Sequence, residues 1–401
     1  MSVTAAKGFL ASGVSAGLKS SGKKDVALIY NQGPNYDAAA VFTSNKVKAA
    51  PVIWTQEVIK NKKLKAVVLN SGGANACTGS DGFADTHKTA EHVAELLSIG
   101  AIEVGVCSTG LIGNRLDMPK LIKGIEQAHQ HLKNNGGDDA AEAIITTDSH
   151  MKTAKLETQG WNIGAIIKGA GMLAPDMATM LCVITTDADI SHLDHQLILQ
   201  TTTDKTLNRI DSDGCTSTND TVILMSSGAS GIKPDKEVFE NQLQLLMSDL
   251  ASLLINDAEG ATKVITIDVI NANIESDAVN VGRSIARNNL LKCAMFGEDP
   301  NWGRILAAVG TAEATINSDS IDVYLNGIQV CRNGSAITSP EKVDLKERSI
   351  HIKVDLKMGS DKATIFTNDL STQYVHENTA YSTSQKLNKL DKKRLCKKQQ
   401  Y

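Results

Sequence analysis

Short runs of apolar residues separated by polar turns dominate the first third of the chain. Val26–Tyr30, Ala66–Asn70 and Val104–Ser108 are short and almost wholly apolar, as expected of buried strands. Between the second and third runs, apolar residues recur at helical spacing up to Leu97, and Asp85 is a candidate N-cap for that helix. The pattern therefore predicts strands that alternate with helices.

The middle of the chain repeats this alternation with longer segments between the strands. Trp161–Ile167, Met180–Thr186 and Thr221–Met225 are compact apolar runs and are predicted as strands. Leu193–Leu207 and Val238–Leu254 are too long for typical strands and are predicted as helices.

The last part of the chain carries a different pattern. Val264–Ile270 alternates in a strand-like way, and Ser276–Cys293 is predicted as one helix. Shorter alternating segments follow at Ile321–Tyr324, Ile350–Val354 and Ala363–Thr367, which indicates a smaller second unit. Together the elements predict a layered α/β architecture, although periodicity alone does not give the topology.

Composition excludes several classes of protein. The chain has 401 residues, 42% of them hydrophobic and 21% charged, which is typical of a soluble globular protein with two or three packed units. A net charge of −4 and only 4% aromatic residues argue against nucleic-acid or membrane partners. The seven cysteines are scattered without a C-x-x-C pair, so neither a zinc site nor a disulfide framework is expected. We therefore expect a cytoplasmic protein with no bound metal.

A glycine-rich turn carries the most distinctive chemistry. Lys168-Gly-Ala-Gly-Met-Leu-Ala-Pro175 leads to Ala178 and Thr179, immediately before a predicted strand. A threonine here can attack the carbonyl of its preceding peptide bond, and hydrolysis of the ester frees an N-terminal threonine. Its α-amine, with a pKa of about 7.7–8.0, is suited to act as the base for its own hydroxyl. Taken alone, the local residues favour a buried strand that simply begins with a β-branched residue.

This segment closely resembles the self-cleaving ornithine acetyltransferase (glutamate N-acetyltransferase) family of arginine biosynthesis. Other segments similar to the family occur in family order over nearly the whole chain. They are Lys7-Gly-Phe with Ala16-Gly-Leu-Lys19, Leu69-Asn-Ser-Gly-Gly-Ala-Asn-Ala-Cys-Thr-Gly79, Cys107-Ser-Thr-Gly-Leu-Ile-Gly113, Thr146-Thr-Asp148, Asp213-Gly-Cys-Thr-Ser-Thr-Asn-Asp220, Glu259-Gly-Ala-Thr-Lys263, Phe296-Gly-Glu-Asp-Pro-Asn-Trp-Gly-Arg304 and Glu377-Asn-Thr-Ala-Tyr-Ser-Thr383.

The resemblance implies a fold and an assembly. The fold would be a four-layer αββα sandwich, like that of self-processing aminopeptidases, with a smaller C-terminal α/β domain. Cleavage between Ala178 and Thr179 would give two chains, which we expect to stay associated as two α and two β chains. The α chain would be residues 1–178, with 179–280 completing the core, 281–383 forming the smaller domain and 384–401 forming a basic, disordered tail.

The resemblance also implies a reaction. It is the transfer of an acetyl group from N-acetyl-L-ornithine to L-glutamate through an acetyl-threonine intermediate, with no cofactor. Thr179 would be the nucleophile, and the Thr109 hydroxyl and Gly110 N–H would form the oxyanion hole. Whether acetyl-CoA serves as an additional acetyl donor stays open, because no residue evident in the sequence separates the two types of enzyme.

Six positions match substrate contacts of the family. Among them, a lysine and threonines suit an α-carboxylate, and an acid suits an ammonium group; the C-terminal positions are expected to come from a neighbouring chain. Taken alone, the acid would be interpreted as a surface charge and the C-terminal residues as loop polars. The six are Thr146, Lys168, Thr179, Glu259, Asn378 and Thr383.

Two other hypotheses stay open at this point. An amidase or aminopeptidase would use the same nucleophile with water as the acceptor, and a non-catalytic amino-acid-binding homologue would keep an uncut chain. One further motif, Asp211-Ser-Asp-Gly with Asn219-Asp220 downstream, resembles a calcium loop but lacks the ligand at its twelfth position. We interpret it as a polar turn near the site.

Overall fold

The strands of the computed structural model, which describes residues 2–174, 180–337 and 342–379, form three β-sheets within those ranges. In chain order they are β1 (Phe9–Val14), β2 (Val26–Asn31), β3 (Ala38–Phe42), β4 (Ala66–Asn70), β5 (Val104–Ser108), β6 (Lys152–Glu157), β7 (Asn162–Lys168), β8 (Leu181–Thr186), β9 (Thr221–Ser226), β10 (Val264–Ala272), β11 (Asp322–Leu325), β12 (Ile328–Arg332), β13 (Ser335–Ala336), β14 (Ser349–Asp355) and β15 (Asp361–Asn368).

Helices alternate with these strands, so the protein is a mixed α/β structure. The α-helices of the described ranges are α1 (Ala50–Val58), α2 (Gly79–Leu97), α3 (Met118–Gln130), α4 (Gly137–Ile144), α5 (His195–Lys205), α6 (Lys236–Asn256), α7 (Glu275–Ala286), α8 (Asn289–Phe296), α9 (Trp302–Val309) and α10 (Thr372–Thr379).

Two helix predictions differ from the structure. Helix α2 begins at Gly79, so Asp85 lies inside it, where the carboxylate accepts two hydrogen bonds of 2.9 Å from Arg115 instead of capping the helix. The single helix predicted over Ser276–Cys293 is two helices, α7 and α8. The chain leaves the helical path at Asn288, whose side chain accepts a 3.0 Å bond from the Leu291 N–H and so caps α8.

The order of strands shows which elements are neighbours in space. The first sheet has the order β1-β2-β4-β5, the second β3-β9-β8-β7-β6 and the third β13-β12-β11-β14-β10-β15. Strands β4 and β5 are parallel, as are β8 and β9, whereas β7 and β8 are antiparallel. Parallel neighbours bring equivalent strand ends to one edge of a sheet, so residues that follow or precede such strands lie close together.

Side chains of the second sheet pack on both of its faces. Leu181 and Val183 of β8 join a core shared with the first sheet, whereas Cys182 and Ile184 join a second core formed with α5 and α6. Because successive side chains of a strand point to opposite faces, a wholly apolar run such as β8 is the expected sequence of a strand covered on both sides.

A third core belongs to the C-terminal sheet. It contains Ile267 of β10 and Ile352 of β14 and is covered by α7 and α9. Strand β10 pairs with β14 on one side and β15 on the other, so this sheet begins before residue 281. The division of the chain into domains stays a prediction. Among the helices of the described ranges, none combines the length and apolar character needed to span a bilayer.

Candidate active site

Strand ends from the first two sheets meet around one cavity of about 380 Å³. Thr109 and Gly110 directly follow β5, Lys168 ends β7, and Asn219 stands just before β9. Leu111, Ile112 and Met172 add apolar walls. A larger groove of about 930 Å³ lies between α6 and the third sheet, but none of the described residues predicted for catalysis or binding lines it.

The cavity brings together most of the predicted site residues. Met180, which follows Thr179 in the chain, stands next to β8, where Leu181 pairs with Lys168 of β7. Ala178, Thr179 and Thr383 lie outside the described residues, so the geometry of the cavity does not test their predicted roles. The predicted residues that line the cavity are Thr109, Gly110, Thr146, Lys168, Glu259 and Asn378.

The turn after β5 presents two hydrogen-bond donors. Gly110 has φ +134°, and a Cβ there would lie 2.9 Å from Cα and N of Gly73, so only glycine fits without displacement. No described residue accepts a hydrogen bond from the Gly110 N–H. The Thr109 hydroxyl accepts a 3.3 Å bond from Lys168 Nζ, which leaves its own hydrogen available. Both donors suit the oxygen of a tetrahedral intermediate.

Lys168 is a buried cation held in an acidic setting. Burial lowers the pKa of its ammonium group, and the negative charge of Asp148 opposes that shift. Asp148 accepts bonds from Lys152 Nζ at 2.6 Å, Gly169 N at 2.7 Å and Thr146 N at 3.0 Å. Burial works against ionisation of Asp148, but the charges of Lys168 and Lys152 outweigh it and lower its pKa to about 2. Asp148 therefore stays ionised and joins two segments of the cavity wall.

An acid and an amide form the opposite side of the cavity. Asn378 Nδ2 donates a 3.1 Å hydrogen bond to Glu259 Oε2, and the Glu259 N–H donates to the Ala170 carbonyl at 2.9 Å. A Cβ on Gly171 would meet the Glu259 carboxylate at 2.4 Å, so the missing side chain makes room for that acid. Asn378 reaches the cavity from α10 of this same chain, rather than from a neighbouring one as expected.

The family of the protein follows from comparison with known proteins. A model described as the ArgJ family matches residues 10–383. The chain belongs to the ArgJ family. It is 56% identical over 383 residues to the arginine biosynthesis bifunctional protein ArgJ of Streptomyces coelicolor, covering 96% of this chain and 100% of that protein.

Two further relatives come from Mycobacterium tuberculosis. Its arginine biosynthesis bifunctional protein ArgJ is 52% identical over 389 residues, which is 95% of this chain and 96% of that protein. A chain in the crystal structure of ornithine acetyltransferase complexed with ornithine is 55% identical, covers 45% of this chain and 96% of that chain, and gives a TM-score of 0.43.

Three polar residues of this ArgJ-family chain were not predicted as part of the site. Asp148 accepts a hydrogen bond from the N–H of Gly169, next to Lys168 in the cavity wall. Asn219 and Asp220 lie just before β9 and make contacts between the two sheets. In the sequence, Asp148 was visible only within a motif that resembles the family, and the Asn219-Asp220 pair was also part of the turn predicted to lie near the site, with no role assigned. Their contacts join segments far apart in the chain, which no local pattern reveals.

Proposed function

We propose that the protein is a glutamate N-acetyltransferase that moves the acetyl group of N-acetyl-L-ornithine to L-glutamate through an acetyl ester of Thr179. Membership of the ArgJ family over nearly the whole chain is the observation that carries this proposal. The cavity supports it because it combines oxyanion donors at Thr109 and Gly110 with opposite charges at Lys168 and Glu259. Those charges suit amino acids that carry both a carboxylate and an ammonium group.

The reaction divides into two acyl transfers. Thr179 Oγ attacks the acetyl carbonyl, the Oγ–C bond forms, and the amide C–N bond breaks while the proton passes through the threonine amine to the departing ornithine nitrogen. The glutamate amine then attacks the ester, the Oγ–C bond breaks, and the proton returns to Thr179. In both steps Thr109 and Gly110 donate hydrogen bonds to the oxygen that becomes negative.

Substrate recognition follows from charge. Lys168 and the Thr146 hydroxyl serve the α-carboxylate common to both amino acids, and Glu259 serves the side-chain ammonium of ornithine. Asn378, bonded to Glu259, offers an amide that either donates to a carboxylate or accepts from an ammonium group. This dual capacity suits a site that takes ornithine and glutamate in turn, with Thr383 as a further contact.

Self-cleavage between Ala178 and Thr179 belongs to the same proposal, as does the assembly of two α and two β chains. Strand β7 would fall in the α chain and β8 in the β chain, and six residue pairs join these strands from Ile163–Thr186 to Lys168–Leu181. Because the cut separates neighbours in one sheet, the fragments stay together without a covalent link.

The four-layer αββα description and the cytoplasmic location are also proposals. The first core contains side chains of both sheets, and the second core joins the second sheet to α5 and α6, which supports helices outside two packed sheets. The cysteines of the described residues are free thiols, as suits a reducing compartment.

Two measurements test the proposed function. Denatured protein should contain a fragment that starts at Thr179, and incubation with N-acetylornithine and glutamate should give equal amounts of ornithine and N-acetylglutamate. Thr179→Ala should abolish both events, whereas Thr179→Ser retains a nucleophile and should preserve them in part. Acetate release independent of glutamate would favour a hydrolase, and an uncut, inactive chain would favour a binding protein.

Acetyl-CoA is a separate question within this proposal. The relatives are named bifunctional, and we infer that acetyl-CoA is an additional acetyl donor to Thr179, with no other cofactor. Labelled acetyl-CoA and glutamate should give labelled N-acetylglutamate with the wild type and none with Thr179→Ala. Absence of label in the wild type, with transfer from N-acetylornithine intact, would assign a single acetyl donor.

A further inference from the structure

The residues just before β9 connect the two sheets that form the site. Asn219 is buried and donates from Nδ2 to two backbone carbonyls, Ser108 O at 2.8 Å and Ala74 O at 2.6 Å. Ser108 is the last residue of β5, directly before the oxyanion donors Thr109 and Gly110. One hydrogen of the amide thus holds the end of β5, and the other holds Ala74, whose N–H donates a 3.1 Å bond to the Leu111 carbonyl in the turn after β5.

The next residue holds the other side of the site. Asp220 is fully buried, and its Oδ1 accepts a 2.9 Å hydrogen bond from the backbone N–H of Met180. Met180 is the residue directly after Thr179, so this bond holds the start of the described chain next to the proposed nucleophile.

The carboxyl group of Asp220 is suited to a neutral state. Burial raises its pKa well above the usual range, and the hydrogen bonds from Met180 and Ser217 and the Lys168 charge counter this only in part. A fully buried carboxylate ion is unfavourable, whereas a protonated carboxyl group still accepts the Met180 hydrogen bond through Oδ1. An asparagine at this position would therefore reproduce the contact.

We propose that Asn219 and Asp220 are positioning residues that fix the oxyanion donors and the nucleophile relative to each other, one residue holding each side. The proposal rests on the function proposed above. Neither residue needs to touch substrate for this role. Acyl transfer depends on a separation of about 3 Å between reacting groups, and a displacement of about 1 Å costs up to roughly 10²-fold in rate.

The experiment compares each residue with a structural counterpart at the opposite ends of the same strands. Asn31 is a buried asparagine that donates to Ser226 O at 2.9 Å and Asn35 O at 3.1 Å, at the far end of β9. Asp187 is a buried aspartate after β8 that accepts from Asn162 N at 2.6 Å and Lys7 N at 2.9 Å. The strand rise places these controls about 20 Å from the site.

The variants are Asn219→Ala, Asn219→Asp, Asp220→Ala and Asp220→Asn, with Asn31→Ala and Asp187→Ala as controls. For each full-length protein, the rate of self-cleavage, kcat and KM of acetyl transfer and Tm are measured. Asn219→Ala, Asn219→Asp and Asp220→Ala should lower kcat by roughly 10–10²-fold with KM changed less than about threefold. The controls should lower Tm but leave kcat of the folded enzyme near wild type.

The conservative variants distinguish a positioning role from a general loss of structure. Asp220→Asn should restore kcat to within about fivefold of wild type, because the amide oxygen accepts the Met180 N–H. Asn219→Asp keeps the side-chain volume but removes both donors, and it replaces Asn219→Ala if that variant does not fold.

Three results would overturn the proposal. They are site variants with wild-type kcat, controls that lose kcat as much as the site variants, or an Asn219→Ala change confined to KM, which would make Asn219 a substrate contact. The rate of self-cleavage keeps this test separate from the function proposed above. If the wild type cleaves itself but transfers no acetyl group, the proposed function fails, while the positioning role is still judged on cleavage.

Discussion

Gly110→Ala is the most direct test of the turn after β5, which carries the proposed oxyanion donors. The structure gives the distances at which an added Cβ would collide with its neighbours. An added Cβ would lie 2.9 Å from both Cα and N of Gly73, whereas ordinary contacts begin at 3.4 Å. The backbone at residue 110 must therefore move by at least about half an ångström, since neither neighbouring atom belongs to a flexible side chain. The N–H that is proposed to bind the oxyanion moves with it.

Two separate costs follow from this substitution. The φ of +134° is unfavourable for alanine, and holding a non-glycine residue in such a conformation costs about 1–3 kcal/mol of stability. Displacement of the donor acts on the rate instead, since loss of one oxyanion donor typically lowers kcat by roughly 10²–10³-fold. KM should change little, because Lys168 and Glu259 remain in place.

Gly113→Ala is the matched control on the same turn. Gly113 also has positive φ, +90°, but a Cβ there would meet no atom within 4 Å. It therefore shares the conformational cost without the collision. Acetyl transfer from N-acetylornithine to glutamate is followed at saturating substrate, with Tm measured in parallel. If Gly110→Ala retained kcat within threefold of Gly113→Ala, Gly110 would not be an oxyanion donor.

Three further predictions concern charge. Asp148→Asn should lower the free energy of unfolding by about 2 kcal/mol at pH 7, because folding depresses the pKa of Asp148 to about 2. In the wild type this contribution should be lost as the pH falls below about 4, so the difference in unfolding free energy between wild type and variant should be smaller at pH 3 than at pH 7. Urea unfolding at both pH values measures that difference, and an equal difference at both would contradict the prediction. Glu259→Gln should raise KM for N-acetylornithine by roughly tenfold and KM for glutamate less; equal rises would remove the ammonium role. Lys168→Met should lower kcat/KM for both substrates by roughly 10²-fold, and a loss for only one would contradict a shared carboxylate contact.

The sequence predicts strands best where burial on both faces makes the apolar run continuous. Val104–Ser108 and Ala66–Asn70 were placed to the residue for this reason. Strand β1 was missed because Ser12 and Gly13 interrupt its apolar run. A Cβ on Gly13 would lie 1.9 Å from the Asp139 carbonyl oxygen, so the glycine is required by the close approach of α4, which is a tertiary cause invisible to periodicity.

The candidate site was predicted from the family resemblance and not from the hydrophobic pattern. Thr109 alone is a strand-ending turn residue and Glu259 alone is a surface acid, yet the fold brings both to one cavity. Asn219 and Asp220 were predicted as part of a polar turn near the site and were given no role in it, because polar residues before a strand are ordinary turn formers. Only their contacts with Ser108 and Met180, across the interface of two sheets, separate them from such residues.

The placement of the site between two sheets explains how a cut chain can remain a competent enzyme. The proposed oxyanion donors follow β5 of the first sheet, and the proposed nucleophile precedes β8 of the second, so alignment depends on packing between sheets. Cleavage before Thr179 would break one covalent bond, but β8 would keep β7 and β9 as neighbours, and its Leu181 and Val183 would remain in the shared core. The new amine would therefore be gained without releasing the strand that follows it. By the same reasoning, activity should depend on packing in the first core, because a change that shifts one sheet against the other would move the proposed donors away from the proposed nucleophile.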